Sequence, residues 1–385
     1  MRDLTRRGRA APWTTFSVIG MAVAALGMAT LLSRCTRDPE AESRDGGLGS
    51  NAKGYCEPMP TYTESVSACP ASPDDYQPRA AASALDTWPA CISDDNDYHV
   101  INPSISTVAR VAAFEEIARR LWADNRLPSV QDFVDARVLY AQDQGLDSRV
   151  QRREDVHFEV APEPCSSVGI PEQYPDRCVG PAKLLPILND AFARGAQGDR
   201  PAVQAGRIEA ALVWFLYVSV LSEVRSCTTK PQDCDSAWAY YSGGEPRDAP
   251  LGLARMIRAL GSATHDRAYD GVLAVRCWRN LDNETGTANN LTLRDRAGSQ
   301  LDRAMLRGLA LIVRQRVTEL RCSQGDVLDA RWAFLTTLAP FLDRAARERL
   351  PSEAEVLARE LSAADPSMVD VERTVGAIDA LFPCP

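Results

Sequence analysis

The chain has 385 residues, 45% hydrophobic and 25% charged, the make-up of a globular protein with a sizeable core. It carries 43 Lys and Arg against 52 Asp and Glu, a formal charge of −9. That sign argues against nucleic acid as a partner, because phosphate contacts need a clustered basic surface; it is compatible with cations.

Residues 1–34 differ in kind from the rest. "MRDLTRRGRAAPW" holds four arginines against one aspartate, and "TTFSVIGMAVAALGMATLLS" follows without a charge. A basic start and an apolar run predict an export signal. At about 20 residues the run is also long enough for an uncleaved membrane anchor. The Arg6-Arg7 pair lacks the residues that twin-arginine export expects after it. The run ends in "LLSRC", and a Leu-rich stretch ending in cysteine resembles the lipobox of bacterial lipoproteins. Cys35 is therefore the candidate lipidation site, although Arg34 stands where a small residue is normally required. Residues 35–55, polar and Gly-rich, read as a flexible tether between membrane and body.

Eleven cysteines occur, at positions 35, 56, 69, 91, 165, 178, 227, 234, 277, 322 and 384. Setting Cys35 aside leaves an even set, which in an exported chain predicts a disulfide framework. No Cys-x-x-Cys is present and only three histidines occur, His99, His157 and His265, so a thiolate zinc site is not expected. Residues 56–103, punctuated by prolines and three cysteines, read as an irregular, disulfide-pinned opening to a helical domain spanning 56–385.

The helical pattern then dominates. "SISTVARVAAFEEIARRLWAD" sets Val111, Phe114, Ile117, Ala118 and Leu121 on one face. "SVQDFVDARVLYAQ" predicts a helix capped by Ser129, with Val130, Phe133, Val134 and Leu139 facing inward. "CVGPAKLLPILNDAFARGA" reads as a helix ended at Gly195. "GSQLDRAMLRGLALIVRQRVTEL", "DVLDARWAFLTTLAPFLDRAA" and "SEAEVLARELSAA" add three more. Alternating runs are scarce and Ala, Leu and Arg abundant, so the fold class is all-α, an irregular multi-helix domain stapled by disulfides.

The densest stretch is "RIEAALVWFLYVSVLSEVRSCTTKPQDCDSAWAYYSGGEP". Ala210 to Leu221 carries no charge, too short to span a bilayer and suited to a helix buried all round. Glu209 and Glu223 flank it on nearly one stripe, and each needs a partner, an arginine or a metal ion. Arginine pairing or exposure is the ordinary outcome. Trp238, Tyr240 and Tyr241 precede Gly243-Gly244, which predicts aromatic packing and a helix end. "GLDSRVQRREDVHFE" gathers Asp155 and His157 among arginines. They suit a metal or acid–base work, against the plainer reading of an ion-paired connection.

No Gly-x-Ser-x-Gly, His-Glu-x-x-His or phosphate loop is present, so no catalytic motif marks the chain as an enzyme. Sequons at Asn283 and Asn290 matter only in a eukaryotic secretory route.

"DCDSAWAYYSGG", "LGLARM" and "DGVLAVRCWRNLDN", with the apolar helix before them, resemble the algal low-iron-inducible periplasmic iron-assimilation family and its bacterial lipoprotein relatives. The resemblance covers Arg207 to Asn283 and extends more loosely back to Ser104, through "LDSRVQRREDVHF". It implies an exported, non-catalytic protein of iron uptake, periplasmic or at the cell surface, with iron as the bound metal. Ferric iron is a hard cation that prefers oxygen donors. The candidate ligands are Asp155, His157, Glu209, Glu223, Tyr240 and Tyr241. The two glutamates, about 20 Å apart on a straight helix, cannot share one ion. Two rivals stand beside this reading: an envelope scaffold or adhesion lipoprotein without metal, and a two-carboxylate hydrolase.

Overall fold

The computed structural model describes residues 62, 64, 69–79, 87–123, 126–142 and 145–385. The expected export signal, tether and lipidated Cys35 lie outside the described residues. The described residues contain thirteen α-helices and no strand: α1 Thr107–Leu121, α2 Val130–Ala141, α3 Asp147–Val150, α4 Ile170–Gln173, α5 Leu185–Gly195, α6 Pro201–Ser226, α7 Gln232–Ser242, α8 Gly252–Leu260, α9 Ser262–Asp282, α10 Leu291–Leu320, α11 Gly325–Arg349, α12 Pro351–Leu361 and α13 Val371–Leu381. The all-α, disulfide-stapled reading holds.

Helix α6 is the axle. Every residue from Ala210 to Leu221 is buried. It packs against α5, α7 and α11, with further contacts to α1, α8 and α10. By length and hydropathy it could cross a membrane, but 89% of its most apolar window is covered by the protein itself. It is a core helix. Its approach to α11 depends on Gly206, where a Cβ would overlap the carbonyl oxygen of Ala330. On the far side, α9 and α10 meet at Gly271, whose Cβ would stand 2.6 Å from Leu301 Cα.

Local chemistry sets the helix ends. Ser129 caps α2 as expected: its hydroxyl accepts from the Asp132 N–H, and the Asp132 carboxylate accepts from the Ser129 N–H at 2.8 Å, a reciprocal capping box. Pro186 sits in the first turn of α5 and has no N–H to return. A π-turn, Gly180–Leu184, precedes it. Gly243 and Gly244 end α7 in left-handed conformations (φ 78° and 79°).

One face differs from expectation. On α2 the buried residues are Phe133, Ala136 and Tyr140, while Val130, Val134 and Val138 are exposed. The ring of Phe133 fills the space a side chain would need at Gly195, so the α2–α5 contact turns the valines outward.

The described residues before α1 hold a short 3₁₀ turn, Ile92–Asp95, and are tied to the helices by disulfides. Cys69 bonds to Cys384 and Cys91 to Cys277, while Cys165–Cys178 and Cys227–Cys234 staple nearby residues. Cys322 is also disulfide-bonded. The Gln300 amide pairs with both backbone groups of Tyr76, at 2.8 Å each. The bridges fit an oxidising, extracytoplasmic compartment.

Candidate functional site

The six candidate ligands fall in separate places. Asp155 and His157 are brought together in the pinned loop after α3. The Asp155 N–H donates to the Arg177 carbonyl at 2.8 Å, and Arg177 returns a bond to the Asp155 carbonyl at 2.9 Å. The imidazole Nδ1 meets Asp155 Oδ1 at 2.6 Å and Nε2 meets Asp302 Oδ2 at 3.0 Å. The buried Tyr217 hydroxyl donates to the other oxygen of Asp302. Its ring lies beneath the imidazole with centroids 6.3 Å apart. A cleft of about 240 Å³ opens beside the array, lined by His157, Asp302, Ser299, Asp295 and two arginines, Arg225 and Arg294.

Two carboxylates on one imidazole fix its charge. Burial pulls the His157 pKa down, but the hydrogen bonds and charges of Asp155 and Asp302 outweigh it and raise it to about 9. At neutral pH the ring is an imidazolium with both N–H groups donated. It offers no free base and no free nitrogen lone pair.

Glu209 and Glu223 have arginine partners. Glu209, 5% exposed, accepts from Arg316 at 2.6 Å. Burial raises its pKa and Arg316 opposes the rise. Glu223, 7% exposed, accepts from Arg153 at 2.6 Å. The Arg153 guanidinium also lies over the rings of Tyr240, at 4.9 Å, and Phe215, at 5.8 Å. Glu223 and Tyr240 thus meet only through Arg153.

Tyr240 and Tyr241 are fully buried. The Tyr241 hydroxyl lies 3.1 Å from His265 Nδ1, whose Nε2 is 2.8 Å from the Arg247 carbonyl. A carbonyl only accepts, so Nε2 carries the proton and Nδ1 accepts from the tyrosine. Burial lowers the pKa of His265 and pushes that of Tyr241 well above its usual value. A phenolate at Tyr241 would be costly.

Among the described residues no group of three or more His, Cys, Asp or Glu side chains is arranged to hold a metal ion. The six residues do not form one donor set for iron. Sequence reasoning missed Asp302, Tyr217, Arg153 and Arg316. They come from distant elements, and the signal for them was indirect: a carboxylate beside an apolar run needs a cation.

Comparison with protein families, curated proteins and solved structures finds no match for the chain.

Proposed function

We propose that this chain is a non-catalytic, membrane-tethered extracytoplasmic protein that acts by binding or scaffolding, without a resident metal. One observation carries the reading: the donors that could hold a cation are already neutralised from within. Glu209 has Arg316, Glu223 has Arg153, and Asp155 and Asp302 share a protonated His157. A cation at any of these places must displace an internal partner of the same sign, at full desolvation cost. The disulfides and the apolar N-terminal stretch support the extracytoplasmic, tethered placement.

A cation reading, in line with the iron-assimilation resemblance of Arg207–Asn283, retains one foothold. His157 Nε2 and Asp302 line an open cleft, and Asp155 holds Nδ1 as an orienting carboxylate does beside a metal-bound histidine. The decisive measurement is metal content by mass spectrometry. The oxidised protein is loaded with ferrous, ferric, zinc or manganese salts at pH 7 and desalted. No retained metal is the expected result. Near-stoichiometric iron that disappears in His157→Gln and Asp302→Asn would overturn the metal-free reading in favour of assimilation.

A further inference from the structure

Away from the His157 cleft, a second pocket opens beside the α6–α11 contact. Gly206 and Ala330 bring those two backbones together. Next to that contact α6 presents only Ala202 and Ala205, side chains too short to fill the space towards the turn after α1. A pocket of about 310 Å³ results. Its walls are mostly apolar: Trp122 and Pro128 from the turn between α1 and α2, Ala202 and Ala205 from α6, and Val327 and Phe334 from α11. Leu127 and Val327, which also line it, are each 53% exposed, so the apolar surface runs from the walls out to solvent.

One polar side chain of this pocket is almost wholly enclosed. Glu209 lines it and is 5% exposed. Its Oε1 accepts from Arg316 at 2.6 Å. Its Oε2 accepts from none of the described residues, yet it is not sealed from solvent. A carboxylate oxygen left without a donor in an enclosed, largely apolar place is costly. The pocket therefore joins apolar walls to an acceptor in need of a donor.

The surrounding charges already balance. Arg126 is clamped by both oxygens of Asp132, at 2.7 and 2.9 Å. Arg316 lies between Glu209 and Glu319, and Arg331 meets Glu319 at 2.8 Å. Asp326 is exposed in the first turn of α11, where the helix dipole favours an acid. A charged ligand would lose its hydration here without gaining a counter-ion.

We propose that this pocket binds a small uncharged molecule with an apolar two-ring body and one N–H or O–H donor. The walls take the body and Glu209 Oε2 takes the donor. A dry apolar cavity of about 150 Å³ holds one benzene ring, so the larger space here suits two fused rings. A mainly apolar lining with few convergent polar groups is the usual make-up of a small-molecule site. The inference rests on the reading of the chain as a binding protein and names a ligand class for it. The two fail separately, because metal retention tests that reading and uncharged probes test this one.

The experiment is isothermal titration of the oxidised protein near pH 7 with indole, 1-methylindole, tryptamine and indole-3-carboxylate. Indole should bind saturably with a Kd below about 1 mM, a modest affinity for so few atoms. Loss of the donor in 1-methylindole should weaken binding at least fivefold, and neither charged analogue should bind more tightly than indole. Ala330→Leu, which fills the pocket from a half-buried position, should abolish indole binding. Glu209→Gln should erase the preference for indole over 1-methylindole, because the amide oxygen serves Arg316 and turns its NH2 to the pocket. A purely structural role for Glu209 would weaken both probes equally and keep the preference. No saturable heat from indole, equal binding of indole and 1-methylindole, tighter binding of either charged analogue, or unchanged affinity in folded Ala330→Leu overturns the proposal.

Discussion

Glu223 and Arg153 show what a single residue does in this core. The pair is nearly inaccessible, and each partner removes the other's desolvation cost. Arg153→Met should destabilise the protein by about 3–5 kcal/mol, because it strands a buried carboxylate. Adding Glu223→Leu should recover most of that loss in chemical denaturation. A double variant no better than Arg153→Met would show that packing on Tyr240 and Phe215, not charge, is what Arg153 supplies. His157 makes a pH-dependent contribution. Its folded pKa of about 9 lies above the ordinary 6.5, so the folded state holds this proton more tightly than the unfolded chain. The stabilisation is complete below pH 6.5 and is lost as pH rises through 9, about 3 kcal/mol in all. Wild type minus His157→Gln, measured across pH 6 to 10, should shrink over that window. A constant difference would mean that the ring contributes packing alone.

At the scale of elements, the legible helices were those whose buried faces are apolar. In α1 the expected inward residues, Val111, Phe114, Ile117, Ala118 and Leu121, are all buried, and α6 is covered all round. Helix α9 carried no such pattern because its buried positions include Thr264, His265, Arg276 and Arg279, polar groups whose partners lie outside the helix. Helix α2 was recognised with its face turned, since valines at 130, 134 and 138 repeat at helical spacing as well as Phe133, Ala136 and Tyr140 do. Only the close approach of Phe133 to Gly195 decides between the two stripes. The candidate site followed the same logic. Asp155 and His157 are neighbours in sequence and were legible as a pair, whereas Asp302 and Tyr217 join them through tertiary packing alone. The two stripes of α2 predict opposite outcomes. Phe133→Ala should cost about 3–5 kcal/mol, and Val134→Lys should stay within about 0.5 kcal/mol. A large loss in Val134→Lys would place a covering partner over the valine stripe.

For the whole molecule, the disulfides divide into two kinds. Cys165–Cys178 and Cys227–Cys234 close short loops, with sequence separations of 13 and 7. Cys69–Cys384 joins residues 315 apart, and Cys91–Cys277 joins residues 186 apart. The long bridges tie residues before α1 to α9, through Cys91–Cys277, and to the end of the chain, through Cys69–Cys384. In the chain-entropy account, the Cys69–Cys384 bridge contributes about 4–5 kcal/mol even though Cys91–Cys277 shortens its effective loop, and Cys227–Cys234 contributes about 2 kcal/mol. Replacing both members of each pair by serine, followed by denaturation under oxidising conditions, should therefore cost at least twice as much for Cys69–Cys384. Equal losses would mean that non-covalent contacts already fix the segment. The Gln300 amide on the Tyr76 backbone, the Arg303–Asp75 ion pair at 2.5 Å and the Arg307 bond to the Phe382 carbonyl are the contacts that would then carry it. The bridges would in that case be the product of an oxidising compartment, not the means by which the fold survives there.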